Sequence, residues 1–152
     1  PSLIACRLGA QRLVICASPA YIERHGRVNG LEDLKGRACI SGWRPHQKAT
    51  WVLRSEAGEQ TSIEVRTRHE FTDGEAMLAA VVSGCGIMQI PTWLAAGEIK
   101  KGTLMPLLPE FAGGEMPIHA IWSATRYMKP KTRAIIDCLK SISADPESGF
   151  NL

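Results

Sequence analysis

At 152 residues the chain suffices for one domain, or one domain and part of another, burying roughly two-thirds of the surface its unfolded form exposes. It is 45% hydrophobic and 22% charged, an ordinary globular composition, and its net charge of +3 is too small to argue for nucleic-acid binding by these residues. No apolar run approaches the roughly 20 residues that a membrane span requires, so a membrane partner is not expected.

In chain order, Arg12–Ala17 (Arg-Leu-Val-Ile-Cys-Ala) forms a short apolar run that predicts a buried strand. Ser18 then offers an N-cap, Pro19 the first helical position and Gly26 a stop. A second short helix is expected from Leu31 to Lys35, with Asn29 as cap, and Ala38-Cys39-Ile40 as the next strand. Between Thr50 and Arg68, Trp51, Val52 and Leu53 precede a polar stretch, and Ile63 and Val65 alternate with Glu64 and Arg66. That pattern predicts a hairpin with one solvated face.

Thr72-Asp73-Gly74-Glu75 has the form of a capping box, with Thr72 as cap, opening a helix whose apolar face is Met77, Leu78, Val81 and Val82. Ile87–Ile90 predicts a strand stopped by Pro91, and a short helix follows from Thr92 to Ala96. Pro106, Pro109, Gly113 and Gly114 mark a closing loop. A strand over Ile118–Ser123 and a helix over Pro130–Ser141 complete the order, the latter with Ile135, Ile136, Leu139 and Ile142 as its buried stripe. Residues 143–152 are expected to be a flexible tail. Strands alternating with helices give an α/β fold with a mixed sheet.

The five cysteines are dispersed and show no CxxC spacing, so Cys16, Cys39, Cys85 and Cys138 are expected to be buried, reduced and structural. The four histidines form no cluster with them, and neither a metal nor another cofactor is expected. Pro1-Ser2-Leu3-Ile4 carries no initiator methionine and no signal-peptide profile, which predicts a cytoplasmic protein of which this is one piece.

These segments resemble the effector-binding domain of LysR-type bacterial transcriptional regulators. The words that carry the resemblance are Leu13–Tyr21, His25-Gly26, Leu31–Leu34, Thr72–Glu75, Gly84–Pro91, Gly102–Leu104 with Leu108-Pro109, and Pro130–Ala134 through Leu139. Each is weak alone, and their order and spacing are specific. Two positions depart from the family's habit: Thr72 where asparagine is common, and Lys129 where serine is common. The resemblance implies a periplasmic-binding-protein-like (type 2) fold of two α/β subdomains with a small effector in the cleft between them. Residues 15–116 would then be regulatory subdomain II, and residues 1–14 and 117–142 part of subdomain I. It also implies a homo-oligomer that meets DNA only through a helix-turn-helix domain outside this sequence.

In open α/β sheets ligands sit beyond the carboxyl ends of strands, where loops and helix N-termini converge. Four places fit that description here: Ser18-Pro19, Gly42-Trp43-Arg44, Thr72-Asp73, and Gln89-Ile90-Pro91 with Thr92. Ser18 and Thr72 have the plainer reading of helix caps, and Trp43 that of ordinary packing. Gln89 is a polar residue in an apolar strand and needs a partner if buried. The expected ligand is a small effector, an organic acid or an aromatic. An enzyme is the first rival reading, but Ser18, His25 and Asp33 form no ordered triad and GxSxG is absent. A solute-binding protein of a transport system, with the same fold, is the second.

Overall fold

The computed structural model describes residues 2–43, 45–55, 57–124 and 128–145. Arg44, named above among the candidate loops, and residues 146–152 of the expected tail lie outside the described residues. The chain divides into two compact units, Leu13–Glu115 and a smaller one made of Pro1–Arg12 with Met116–Leu152.

Within the larger unit, the end of β1 (Leu3–Ala17) joins β2 (Cys39–Gly42), β5 (Thr67–Phe71), β6 (Ile87–Pro91) and β7 (Met105–Leu107) in one sheet. Their order is β5-β2-β6-β1-β7. β2 runs parallel to both β5 and β6, whereas β1 is antiparallel to β6 and β7. A sheet covered on both faces needs strands that are apolar at every position, which is why Leu13–Ala17 and Ile87–Ile90 read as runs and not as alternations.

Alternate residues divide two cores. Ile15, Ala17, Cys39 and Ile87 point to the face covered by α1 (Pro19–His25), the 3₁₀ turn Leu31–Gly36 and the hairpin of β3 (Thr50–Arg54) and β4 (Gln60–Glu64). Val14, Cys16, Ile40, Met88 and Ile90 point to the face covered by α2 (Gly74–Val82) and α3 (Thr92–Lys101). Backbones meet closely at one point: a Cβ on Gly114 would stand 2.2 Å from the Val52 carbonyl oxygen, so only glycine fits there.

Several expectations change. The hairpin ends at Glu64, and Thr67–Phe71 is a separate strand in the main sheet. Asn29 does not cap the 3₁₀ turn; its own N–H donates to Asp33 Oδ2 at 2.8 Å. Asp73, not Thr72, caps α2, its Oδ1 accepting from the Ala76 N–H at 2.9 Å. The helix begins one residue later than a Thr72 box requires. Helix α3, expected to end at Ala96, passes through Gly97 and stops at Gly102, whose left-handed φ of 76° reverses the chain. Ser18 caps α1 as expected, its Oγ accepting from the Tyr21 N–H.

The smaller unit consists of the first part of β1, β8 (Glu115–Ser123), which pairs with it, and α4 (Pro130–Ala144). Bonds at the two ends of the pairing, Ala124 N–H to Ser2 O and Leu13 N–H to Gly114 O, set the strands antiparallel. α4 runs to Ala144 and so takes in the first two residues of the expected tail. Its expected stripe is only partly covered: Ile136 is buried and Leu139 half-buried, while Ile135 and Ile142 are 61% and 45% exposed. Two strands offer too narrow a surface to cover residues on both sides of Ile136. Two cysteines also depart from expectation. Cys16 and Cys39 are buried in the sheet, but Cys85 lies exposed in the turn after α2, and Cys138 is exposed on α4. An apolar side chain in a turn, or two positions from the buried line of a helix, has no layer to cover it. No helix among the described residues is long and apolar enough to cross a membrane.

Candidate functional site

Strand direction decides which loops share an edge of the sheet in the Leu13–Glu115 unit. β2, β5 and β6 are parallel, so Gly42-Trp43, Thr72-Asp73 and Pro91 all emerge at one edge. β1 is antiparallel to β6, with Leu13 opposite Pro91 and Cys16 opposite Met88. Ser18 and Pro19 therefore emerge at the opposite edge. The structure brings three of the four expected loops together and separates the fourth.

The two separated residues have structural work of their own. Ser18 is 3% exposed and caps α1, and Pro19 supplies the fixed φ of its first turn. A Cβ on Gly84 would come within 3.2 Å of Ser18 Oγ and 2.6 Å of Arg24 Nη2, which donates to the Gly84 carbonyl. That corner is filled by the protein itself.

Ile90 and Gln89 lie beside the shared edge, yet their side chains are committed elsewhere. Ile90 is buried among the residues that α2 and α3 cover. Gln89 Oε1 accepts from the Val52 N–H at 2.8 Å, and its Nε2 donates to the Val52 oxygen at 2.6 Å. The register of β3 with β4 explains the need. Ser55 N–H bonds to Glu59 O and Val65 N–H to Ala49 O, so the ladder uses odd-numbered residues of β3 and turns the Val52 peptide outward. One amide side chain supplies the missing donor and acceptor, docking the hairpin on the sheet.

At the shared edge, Trp43 is 54% exposed although its backbone N–H is fixed by the Phe71 oxygen at 2.7 Å. An open groove of about 440 Å³ is lined by Trp43, Glu70, Phe71, Thr72, Asp73 and Ala76. A second, of about 520 Å³, runs along Trp43 and Glu70 to Pro45, His46, Gln47 and Lys48. Trp43 thus stands between two grooves with its indole available. The N-termini of α2 and α3 adjoin this edge: a Cβ on Gly74 would meet Leu94 at 3.6 Å. The Asp73 carboxylate already occupies the first turn of α2. Lys48 is held by Glu64 at 2.9 Å on the exposed surface.

Glu70, Phe71 and Ala76 were not among the residues expected to line a site. Phe71 directly precedes Thr72, so recognising Thr67–Phe71 as a strand would have placed it. Among the described residues no group of three or more His, Cys, Asp or Glu side chains is placed to hold a metal ion. The edge can stack on a flat ligand and hydrogen-bond to it; among the described residues it holds no nucleophile paired with a base.

Comparison with known proteins agrees with this architecture. The family described as LysR substrate binding domain matches residues 1–143. The HTH-type transcriptional regulator CrgA of Neisseria meningitidis serogroup B is 28% identical over 138 residues, covering 90% of this chain and 46% of that protein. The HTH-type transcriptional regulator DmlR of Escherichia coli K12 is 28% identical over 153 residues, covering 100% of this chain and 49% of its own. The chain therefore spans about half the length of the curated relatives it matches. Among solved structures, the regulatory domain of CrgA superposes with a TM-score of 0.73 at 27% identity, covering 91% of this chain and 68% of that one. The regulatory domain of AphB from Vibrio vulnificus gives 0.71 at 26% identity, covering 92% and 68%.

Proposed function

The chain belongs to the LysR substrate-binding domain family, and from that premise we propose that it senses a small flat metabolite at the Trp43 edge of its Leu13–Glu115 unit. The family is one of transcriptional regulators and not of enzymes, so the chemistry asked of the site is recognition. The observation that carries the reading is the exposed indole of Trp43 between two open grooves at the carboxyl ends of β2 and β5. A half-exposed tryptophan whose backbone is fixed loses little entropy on stacking.

Of the two ligand classes expected, an aromatic fits better than an organic acid. Among the described residues, the groove beside Phe71 is lined by two carboxylates, Glu70 and Asp73, and by no cation. Asp73, Gly42 and Pro91 shape the edge, and the Thr72 hydroxyl is available to an approaching ligand. Gln89 and Ile90 support it from behind. Ser18 and Pro19 take no part in this site.

In the full-length protein, binding would change transcription through a helix-turn-helix domain outside this sequence, in a cytoplasmic homo-oligomer. Residues 15–116 would act as regulatory subdomain II, and residues 1–14 and 117–142 as part of subdomain I. Such coupling is thermodynamic, since a ligand shifts the balance only by its differential affinity for the two arrangements.

The test is a thermal-shift screen of aromatic and acidic metabolites, because a ligand at a hundredfold its dissociation constant stabilises by about 2.7 kcal/mol. For any hit, Trp43→Ala should weaken affinity at least tenfold while leaving the unfolding midpoint of the free protein nearly unchanged. A hit whose affinity survives Trp43→Ala and Thr72→Ala undiminished would place the sensor elsewhere.

A further inference from the structure

The opposite edge of the same unit carries a cavity of different character. It measures about 420 Å³ and is lined by Gly36, Arg37, Ala38, Arg66, Thr67 and Arg68. Three of the six are arginines, the others are small, and none is acidic. The size suits a small ligand, and the charge gives it a sign.

The strand pairing explains how three arginines come to line one cavity. Cys39 opposes Thr67, but the next residue, Ile40, opposes His69, so Arg68 is an extra residue in β5. Such a bulge re-aims the side chains beside it. Thr67 is held from the other side by a 3.0 Å hydrogen bond between its hydroxyl and that of Ser41, a buried residue. Arg66 and Arg68 therefore flank a fixed point. Across from them, Arg37 is anchored where β2 begins, its guanidinium donating to the backbone oxygens of His25 and Arg27.

No carboxylate among the described residues neutralises this group. Neither the Arg66 nor the Arg68 side chain has an ion-pair or hydrogen-bond partner among them. Of the two nearest acids in sequence, Glu64 is engaged by Lys48 and Glu70 lines the Trp43 grooves at the other end of β5. Surface arginines commonly stand alone in solvent, but here three share the lining of one cavity with three small residues. The guanidinium fork matches phosphate and carboxylate geometry.

We propose that the cavity formed by Arg37, Arg66 and Arg68 binds a small multivalent oxyanion, at a site separate from the Trp43 grooves. The ligand carries two or more negative charges on neighbouring oxygens, as a phosphoryl group or a polycarboxylate does. The site is independent of the effector reading, since it lies at the other ends of β2 and β5 and shares no lining residue with those grooves.

The experiment is isothermal titration of the intact chain with pyrophosphate and, separately, with citrate, against sodium chloride at matched ionic strength. Expected is one-to-one binding of at least one anion, weakened at least tenfold in the Arg66→Gln, Arg68→Gln double variant. Whichever anion binds more tightly assigns the ligand as phosphoryl or polycarboxylate. If the double variant does not fold, the two single variants replace it, each weakening binding by at least threefold. Arg37 is left intact because it ties backbone segments together. Binding of neither anion above the chloride control, or undiminished binding to the variants, overturns the proposal.

Discussion

Taking a thiolate out of water is unfavourable, and at Cys16 and Cys39 nothing offsets it. Both side chains are fully buried, and burial pushes the Cys16 thiol from 9.0 up to about 12 and that of Cys39 up to about 11. The consequence for stability has a definite sign. Above pH 9 the unfolded chain releases these protons while the folded chain keeps them, so the unfolded state binds fewer protons and stability falls as pH rises. Each thiol contributes a slope of about 1.4 kcal/mol per pH unit, from its unfolded value up to its folded one. Urea unfolding between pH 8 and 10.5 should show this decline. Cys16→Ala should lower stability at pH 8 through the cavity it leaves, yet make the alkaline decline shallower. Equal slopes in the two proteins would mean that Cys16 does not titrate on unfolding.

At the scale of elements, the start of α2 separates two readings of one short sequence. Asp73 is its cap, with Ala76 N–H as donor, and the Thr72 side chain takes no part in that bond. Asp73→Ala should therefore cost about 1 kcal/mol of stability, and Thr72→Ala only a few tenths. Chemical denaturation of both variants decides it; the reverse order would restore the box beginning at Thr72. The sequence made plain those elements whose packing leaves a pattern: the Arg12–Ala17 end of β1 but not its largely exposed start from Leu3, the β6 run, the Ser18 cap, the β3–β4 hairpin and α2. It hid β5, because Thr-Arg-His-Glu-Phe is an edge strand whose polar side chains meet solvent, and the same edge position brings Arg66 and Arg68 to the surface. It hid β7, whose Met-Pro-Leu is too short to show a period. The candidate site was legible as separate loops but not as a place. Ser18 follows the end of a strand just as Trp43 and Thr72 do, and only the antiparallel register of β1 reveals that it faces the other way. Gln89 was legible as a polar residue requiring a partner, while its partner, the outward peptide of Val52, depends on hairpin register.

At the scale of the molecule, the described residues of the unit made of Pro1–Arg12 and Met116–Leu152 form two paired strands and one helix. A two-stranded ribbon alone is marginal in water, and one helix against it leaves the outer faces of both without a covering layer. The side chains show the shortfall. Leu3 is 66% exposed, Ile121 62% and Ile135 61%, with Ile4 and Ile142 also open to solvent. Large aliphatic groups left in solvent on both a strand and a helix of one small unit are apolar area that association would cover. Among the described residues β8 pairs with β1 alone, so its other edge offers backbone groups able to accept another strand. We therefore expect this chain to self-associate through β8 and α4. Sedimentation equilibrium should give a mass above 16.6 kDa at high concentration. Replacing Ile121 and Ile135 together with glutamate should return it to the monomer, since burying two carboxylates costs more than the contact gains. Both positions are exposed in the single chain, so the variant should fold as the parent does. A parent chain that stays monomeric at high concentration would show that these side chains tolerate solvent, and the expectation would fail.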